Sequence, residues 1–176
     1  MMMKLENECG VFSVDSKGVL QAFVCAQENV VIGNIWRCLD IPEGVRSIPE
    51  EAFRWCNIQE RLTFPKSLRV IGSGDGCAFA NSKLPHVELP DTLEELGDFV
   101  FGNSTMVSLR IPKGLKSEYA RQFKGSRIGT LYLPEDFRAE DTPRGFCEKY
   151  EWGNEQYGYI RSLLVNDVEI GNVVFY

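Results

Sequence analysis

Leu39-Asp40-Ile41-Pro42-Glu43-Gly44-Val45-Arg46-Ser47-Ile48, running on through Ala52-Phe53 to Cys56 and Ile58, sets a pattern that returns three more times along the chain. The prolines mark it: Pro42, Pro65, Pro90, Pro112 and Pro134 are separated by 23, 25, 22 and 22 residues. An apolar-x-apolar triplet precedes each one: Leu39-Asp40-Ile41, Leu62-Thr63-Phe64, Val87-Glu88-Leu89, Leu109-Arg110-Ile111 and Leu131-Tyr132-Leu133. Three residues after each proline stands another apolar side chain, Val45, Leu68, Leu93, Leu115 and Phe137. Ile48, Ile71 and Leu96 follow three further on, and Glu118 breaks that column in the fourth unit. Phe53, Phe79, Phe101 and Phe123 close the units, each followed at three residues by Cys56, Ser82, Ser104 or Ser126. Ile58, Leu84, Met106 and Ile128 complete the set.

Each column has a physical meaning. The triplet alternates with period two, as a strand with one buried face requires. Proline has no N–H to give a ladder, so it ends that strand and turns the chain. The next two apolar residues re-enter the core from the turn or from a second short strand. The phenylalanine fills the middle of the coil, and the small residue lets the backbone pass close to it. A unit of some 22 residues with about six buried side chains cannot offset its own ordering entropy, so the units must stack.

These residues resemble the BspA-like class of leucine-rich repeats, whose unit runs apolar-x-x-Ile-x-Ile-Pro, x-x-Val-x-x-Ile-Gly, Ala-Phe and a small residue. Ile41 to Ile48, Ala52-Phe53, Ile71-Gly72 and Ala78-Phe79 carry the likeness, which spans about residues 28–137. The resemblance implies an α/β-class leucine-rich-repeat solenoid, right-handed, strand-rich and poor in helix, with a parallel sheet on its concave side. It also implies a non-enzymatic binding protein, often displayed at a surface. The second unit departs from the pattern by an insertion, Gly72-Ser73-Gly74-Asp75-Gly76, and the fourth by Glu118.

The expected organisation is a capping segment over 1–35, about four and a half repeats over 36–137, and a second capping segment over 138–176. Residues 9–24 read as strand, turn, strand, covering the open end of the first coil. Arg138 to Asn154 is polar, acidic and aromatic, and is read as part of a cap, with an aromatic ligand-binding or dimerisation patch as the alternative. Ile160 to Tyr176 reads as a hairpin turning near Asn166-Asp167 or at Gly171-Asn172.

Composition excludes several function classes. The 176-residue chain has a net charge of −6 and no Lys/Arg cluster, which argues against a phosphate-backbone binder. No apolar run approaches 18 residues, so no membrane insertion is expected. The first residues lack the charged and apolar regions of a secretory leader, giving a cytoplasmic expectation, or a surface one if a leader precedes them. Cys9, Cys25, Cys38, Cys56, Cys77 and Cys147 form no C-x-x-C, and only one histidine could join them, so free thiols and no metal site or cofactor are expected.

If the triplets alternate, two columns face outward from the concave sheet: Asp40, Thr63, Glu88, Arg110 and Tyr132, and Cys38, Arg61, His86, Ser108 and Thr130. Asp40, Arg61, Thr63, His86, Glu88, Ser108, Arg110 and Tyr132 are the candidate ligand-binding residues. Strands about 4.8 Å apart would let Glu88 and Arg110 pair. Ser108, His86 and Glu88 are neighbours but lack a strained elbow and convergent backbone amides, so no catalytic triad is assigned. The glycine-rich loop at 72–76 has no Gly-Lys-Ser/Thr for a phosphate and too few carboxylates for calcium. Asn103-Ser104-Thr105 matches a glycosylation sequon, but its alignment with Asn81-Ser82 marks it as a turn. The expected function is a non-enzymatic module engaging a protein or peptide. The alternatives are a self-associating structural domain with no concave-face ligand, or a small enzyme with a site between the last repeat and the C-terminal segment, lined by Cys147, Glu148 or Tyr150 together with strand-face residues. The oligomeric state stays open.

Overall fold

The computed structural model describes residues 2–73, 76–113, 115, 122–135 and 168–176. Its elements are short strands: β1 (Met3–Asn7), β2 (Gly10–Val14), β3 (Leu20–Cys25), β4 (Val30–Ile32), β5 (Ile35–Asp40), β6 (Ser47–Ile48) and β7 (Asn57–Thr63). β8 (Val70–Ile71), β9 (Lys83–Glu88), β10 (Glu95–Leu96), β11 (Thr105–Arg110), β12 (Arg127–Leu133) and β13 (Glu169–Phe175) complete them. Among the described residues the only helical piece is a 3-10 turn at Gln27–Asn29.

The chain is a β-solenoid. Its large sheet has the order β13-β12-β11-β9-β7-β5-β4, parallel throughout except for β4. The triplets supply these strands, and the second apolar column supplies a small parallel sheet, β10-β8-β6. A third side is knitted by backbone bonds between coils, centred on Phe53 N to Ala78 O (2.8 Å), Phe79 N to Val100 O (2.7 Å) and Phe101 N to Gln122 O (2.9 Å). The three-residue step after each proline has a local cause. Leu68 N donates to Pro65 O at 3.1 Å and Leu93 N to Pro90 O at 2.9 Å, so the proline opens a tight turn that swings the apolar residue inward.

The core is a stack of phenylalanines. Phe53, Phe79, Phe101 and Phe123 lie face to face at 5.2, 5.7 and 5.5 Å between successive rings. The small residues beside them do more than leave room. Ser104 Oγ donates to Phe79 O (2.7 Å) and Ser126 Oγ to Phe101 O (2.6 Å), so each hydroxyl ties its coil to the phenylalanine of the coil before. Asn81 and Asn103 adopt left-handed φ values of 57° and 54°, a conformation asparagine tolerates better than most residues. That accounts for the sequon-like Asn103 as a turn. Where the enlarged second coil meets the third, a Cβ on Gly97 would fall 1.4 Å from Gly72 O, so only glycine fits.

The N-terminal segment imitates a missing coil. β1, β2 and β3 form an antiparallel sheet, one strand more than the expected hairpin. Phe23 sits at the end of the ring stack, 5.7 Å from Phe53. Gly18 O accepts from Arg46 N (2.8 Å), as Arg46 O accepts from Arg69 N (2.8 Å) one coil later. At the C-terminal end the expected turn at Gly171-Asn172 does not form. Both residues lie inside β13, which pairs in parallel with β12, because Ile170 and Val173 fall opposite Ile128 and Leu131 and continue the solenoid's core pattern. Asn166-Asp167, the aromatic stretch 138–154, Glu118 and Phe137 lie outside the described residues.

Candidate functional site

Strand register places the candidate residues in the two expected columns. Asp40 pairs with Thr63, Glu88 with Arg110 and Arg110 with Tyr132, while Cys38 pairs with Arg61, His86 with Ser108 and Ser108 with Thr130. Most of them face outward from the large sheet. Cys38 and Ser108 do not conform: they are only 8% and 7% exposed. Asn29 and the N-terminal cap cover Cys38, and the His86 ring sits against Ser108, with Nδ1 2.8 Å from Oγ.

The junction between β7 and β9 differs from its neighbours. β9 and β11 pair along their length, whereas β7 and β9 pair only at Asn57 and Lys83. Two features of the sequence cause this. Lys83 N–H points to β7 and donates to Cys56 O (3.0 Å), so the next donor in that direction would belong to residue 85, which is proline. β7 also carries one residue more than β5, a bulge that shifts register between Trp36 and Cys38. The bulge leaves Glu60 and Arg61 exposed beside it.

A groove of about 680 Å³ lies over this junction. Its floor is Arg61, Thr63, His86, Glu88 and Arg110, and its rim comes from Glu60, Phe64, Lys66 and the Pro90-Asp91-Thr92 turn. Asp40, Ser108 and Tyr132 are outside its lining. The lining mixes charge: three cations, three carboxylates and the single histidine of the chain.

The ends of the groove are fixed by ion pairs. Arg61 Nε lies 2.9 Å from Asp40 Oδ1, and its Nη2 bonds both Asp40 and Glu8. Burial opposes ionisation of Asp40, but the bonds from Arg61 and from Thr63 Oγ1 (2.7 Å) outweigh it and hold the carboxyl below its usual range. Asp40, and after it Glu8, raise the Arg61 guanidinium pKa in turn, so it stays charged. At the other end, Arg110 Nε is 3.7 Å from Glu88 Oε1, Nη1 is 3.3 Å from Asp91 Oδ1, and the guanidinium lies 4.3 Å over the Tyr176 ring. The pairing of Glu88 with Arg110 is thus present. It directs Glu88 towards Arg110, and the Ser108–His86 contact uses Nδ1 on a shallow sheet face, so the trio is not arranged for nucleophilic catalysis.

A second cluster was invisible to spacing rules. Cys9, Cys38 and Asp40 bring one ligand atom each within 4.8 Å of one another, although 28 residues separate Cys9 from Cys38 along the chain. Cys9 lies in the β1–β2 turn and closes the free edge of β5: Asp40 N donates to its Sγ at 3.2 Å. Asn29, 3% exposed, completes that edge by bonding Cys38 N (2.8 Å) and Cys38 O (2.7 Å). Burial and the hydrogen bond with Cys38 push the Cys9 thiol far up. Burial likewise pushes Cys56 up to about 11. Cys9, Cys25, Cys38, Cys56 and Cys77 are all free thiols. Gly74 and Asp75 of the inserted loop, and Cys147, Glu148 and Tyr150, lie outside the described residues. Among the described residues no helix is long and apolar enough to cross a membrane.

Stacked coils with a parallel sheet, a phenylalanine core and a proline at each strand end define a leucine-rich-repeat solenoid. The BspA type leucine-rich-repeat region matches residues 35–141 in six copies, and the chain belongs to that family, a non-enzymatic repeat type. Over the same span the geometry gives four coils and a further strand, from β5 to β12. No curated protein and no solved structure matches the chain.

Proposed function

We propose that this protein is a non-enzymatic interaction module whose groove between β7 and β9 receives an extended segment of a protein or peptide. The observation that carries this reading is the interrupted ladder. A bulge and a proline at the same height interrupt the ladder beneath a groove on the outward sheet face, and charged side chains of both signs line it. Extended chains suit such a trough, because alternate side chains reach the floor while the others face the rim. The mixture of Arg61, Lys66 and Arg110 with Glu60, Glu88 and Asp91 favours a partner with alternating charge over nucleic acid, which needs a uniformly basic track. The His86 ring offers Nε2 at the centre of the floor, since Nδ1 is engaged by Ser108.

Selection from a displayed peptide library against the full chain tests this. Enriched peptides should carry both charge signs and should lose roughly tenfold or more in affinity with either Arg61→Glu or His86→Ala, one to two kcal/mol of groove contact. Substitutions at Arg127 or Glu169, which pair with each other at the far side of the sheet, should leave binding unchanged. Peptides that bind both groove variants as well as the parent would overturn the proposal.

A further inference from the structure

We propose that the contact between the N-terminal cap and the first coil is a binding site for a thiophilic divalent cation of the zinc type, held by Cys9, Cys38 and Asp40. The three ligand atoms already lie within 4.8 Å of one another, and the two thiols are buried. Cys9 Sγ stands 3.5 Å from Asp40 Oδ2. A tetrahedral zinc ion with bonds of about 2.3 Å to sulfur and 2.0 Å to oxygen would set that separation at about 3.5 Å. The hydrogen bond from the Cys9 thiol to Asp40 Oδ2 thus already holds a sulfur and an oxygen at ligand spacing.

The surroundings suit the same chemistry. Asp40 Oδ1 accepts from Thr63 Oγ1 (2.7 Å) and Arg61 Nε (2.9 Å), while Oδ2, the oxygen that faces Cys9, is steadied by Arg61 Nε (3.0 Å) and Nη2. Asp40 N–H points at Cys9 Sγ, a contact that strengthens once the sulfur is a thiolate. Asn29 bonds the N–H and the carbonyl of Cys38 and touches a third thiol, Cys25, 3.5 Å from its Nδ2. Charge also balances. Two thiolates and one carboxylate with a divalent ion carry one net negative charge, and Arg61, which Glu8 holds in place, supplies one positive charge. Binding replaces two thiol protons, which leave to solvent, and water takes the fourth position. The ion would fasten the cap to β5 at the edge where backbone pairing stops.

Cobalt(II) titration of the full, reduced chain tests this. A one-to-one complex with a near-ultraviolet thiolate-to-cobalt charge-transfer band is expected, with release of about two protons. Zinc(II) should displace the cobalt and protect Cys9 and Cys38 from alkylation, read by peptide mass spectrometry on the parent chain. Cys56, as buried as Cys9 and Cys38 but not a ligand, is the matched control and should react at the same rate with and without zinc. Cys9→Ser and Cys38→Ser should each lower affinity by more than the ~10–100-fold typical of outer partners, and Thr63→Ala by about tenfold. The alkylation readout needs no variant, so misfolding of a substituted chain leaves the test intact. Cobalt binding without a thiolate band, unchanged alkylation, or a Cys9–Cys38 disulfide forming in place of the complex would each overturn the proposal.

Discussion

The junction between β9 and β11 and the junction between β7 and β9 are built from the same repeat, yet only the first is a complete ladder. At β9–β11, equal strand lengths let Lys83, Leu84, His86, Val87 and Glu88 meet Thr105, Met106, Ser108, Leu109 and Arg110 in register. At β7–β9 the pairing ends after its first rung. The core beneath does not register the difference: Phe53 stacks on Phe79 as Phe79 stacks on Phe101. The lesson is that the solenoid's stability lives in its spine and turns. Its sheet face can therefore open at one junction and form a groove there without dividing the molecule.

Removing the spine should affect both junctions together. Phe79→Ala deletes a fully buried ring between two others, and a loss of about 3–5 kcal/mol is expected in denaturant unfolding. A loss below 1 kcal/mol would show that the rings do not carry the stack.

The next effect belongs to the small-residue column beside the rings, where the first coil has Cys56 in place of serine. The folded state keeps Cys56 protonated up to about pH 11, whereas the unfolded chain ionises near 9.0. The folded chain thus holds the extra proton, and stability falls as pH rises between those values, by roughly 2–3 kcal/mol at most. Cys56→Ser keeps a hydrogen-bonding side chain beside Ser82 Oγ, which Cys56 Sγ meets at 3.5 Å. It should be nearly neutral at pH 7 and lessen the alkaline loss. Equal alkaline loss in both proteins, measured by urea midpoints at pH 8 and 10.5, would refute this.

The smallest expected change in stability is the most informative for the groove. Deleting Glu60 and introducing Pro85→Val gives β7 the same count as β9 and restores the missing donor. The paired variant should gain about 1 kcal/mol and show new protected amides along β7 and β9, while losing peptide affinity. An unchanged exchange pattern would mean that something other than the bulge and the proline holds the strands apart.

Much of the fold was written in the sequence. Proline spacing, the phenylalanine column and the triplets gave the sheet, its register and the outward columns, because periodic packing leaves a periodic trace. The groove was also legible, though less plainly. Ile58 and Leu62 are four residues apart where Leu84 and Val87, Met106 and Leu109, and Ile128 and Leu131 are three apart, and Pro85 stands inside a strand. The N-terminal edge was not legible. There Asn29 and Cys9 take over bonds that backbone makes elsewhere, and no spacing rule links side chains from separate turns. The expected exposure of Cys38 failed for the same reason, since the cap that covers it lies outside the repeat.

The most direct measurement is amide chemical-shift mapping of the full chain with a peptide selected against it. The expected result is that the largest shifts fall on Arg61, Thr63, His86, Glu88 and Arg110, with β12, β13 and the cap unmoved. Shifts centred on the cap, or on the face that carries β6, β8 and β10, would contradict the assignment of the β7–β9 groove as the interaction site.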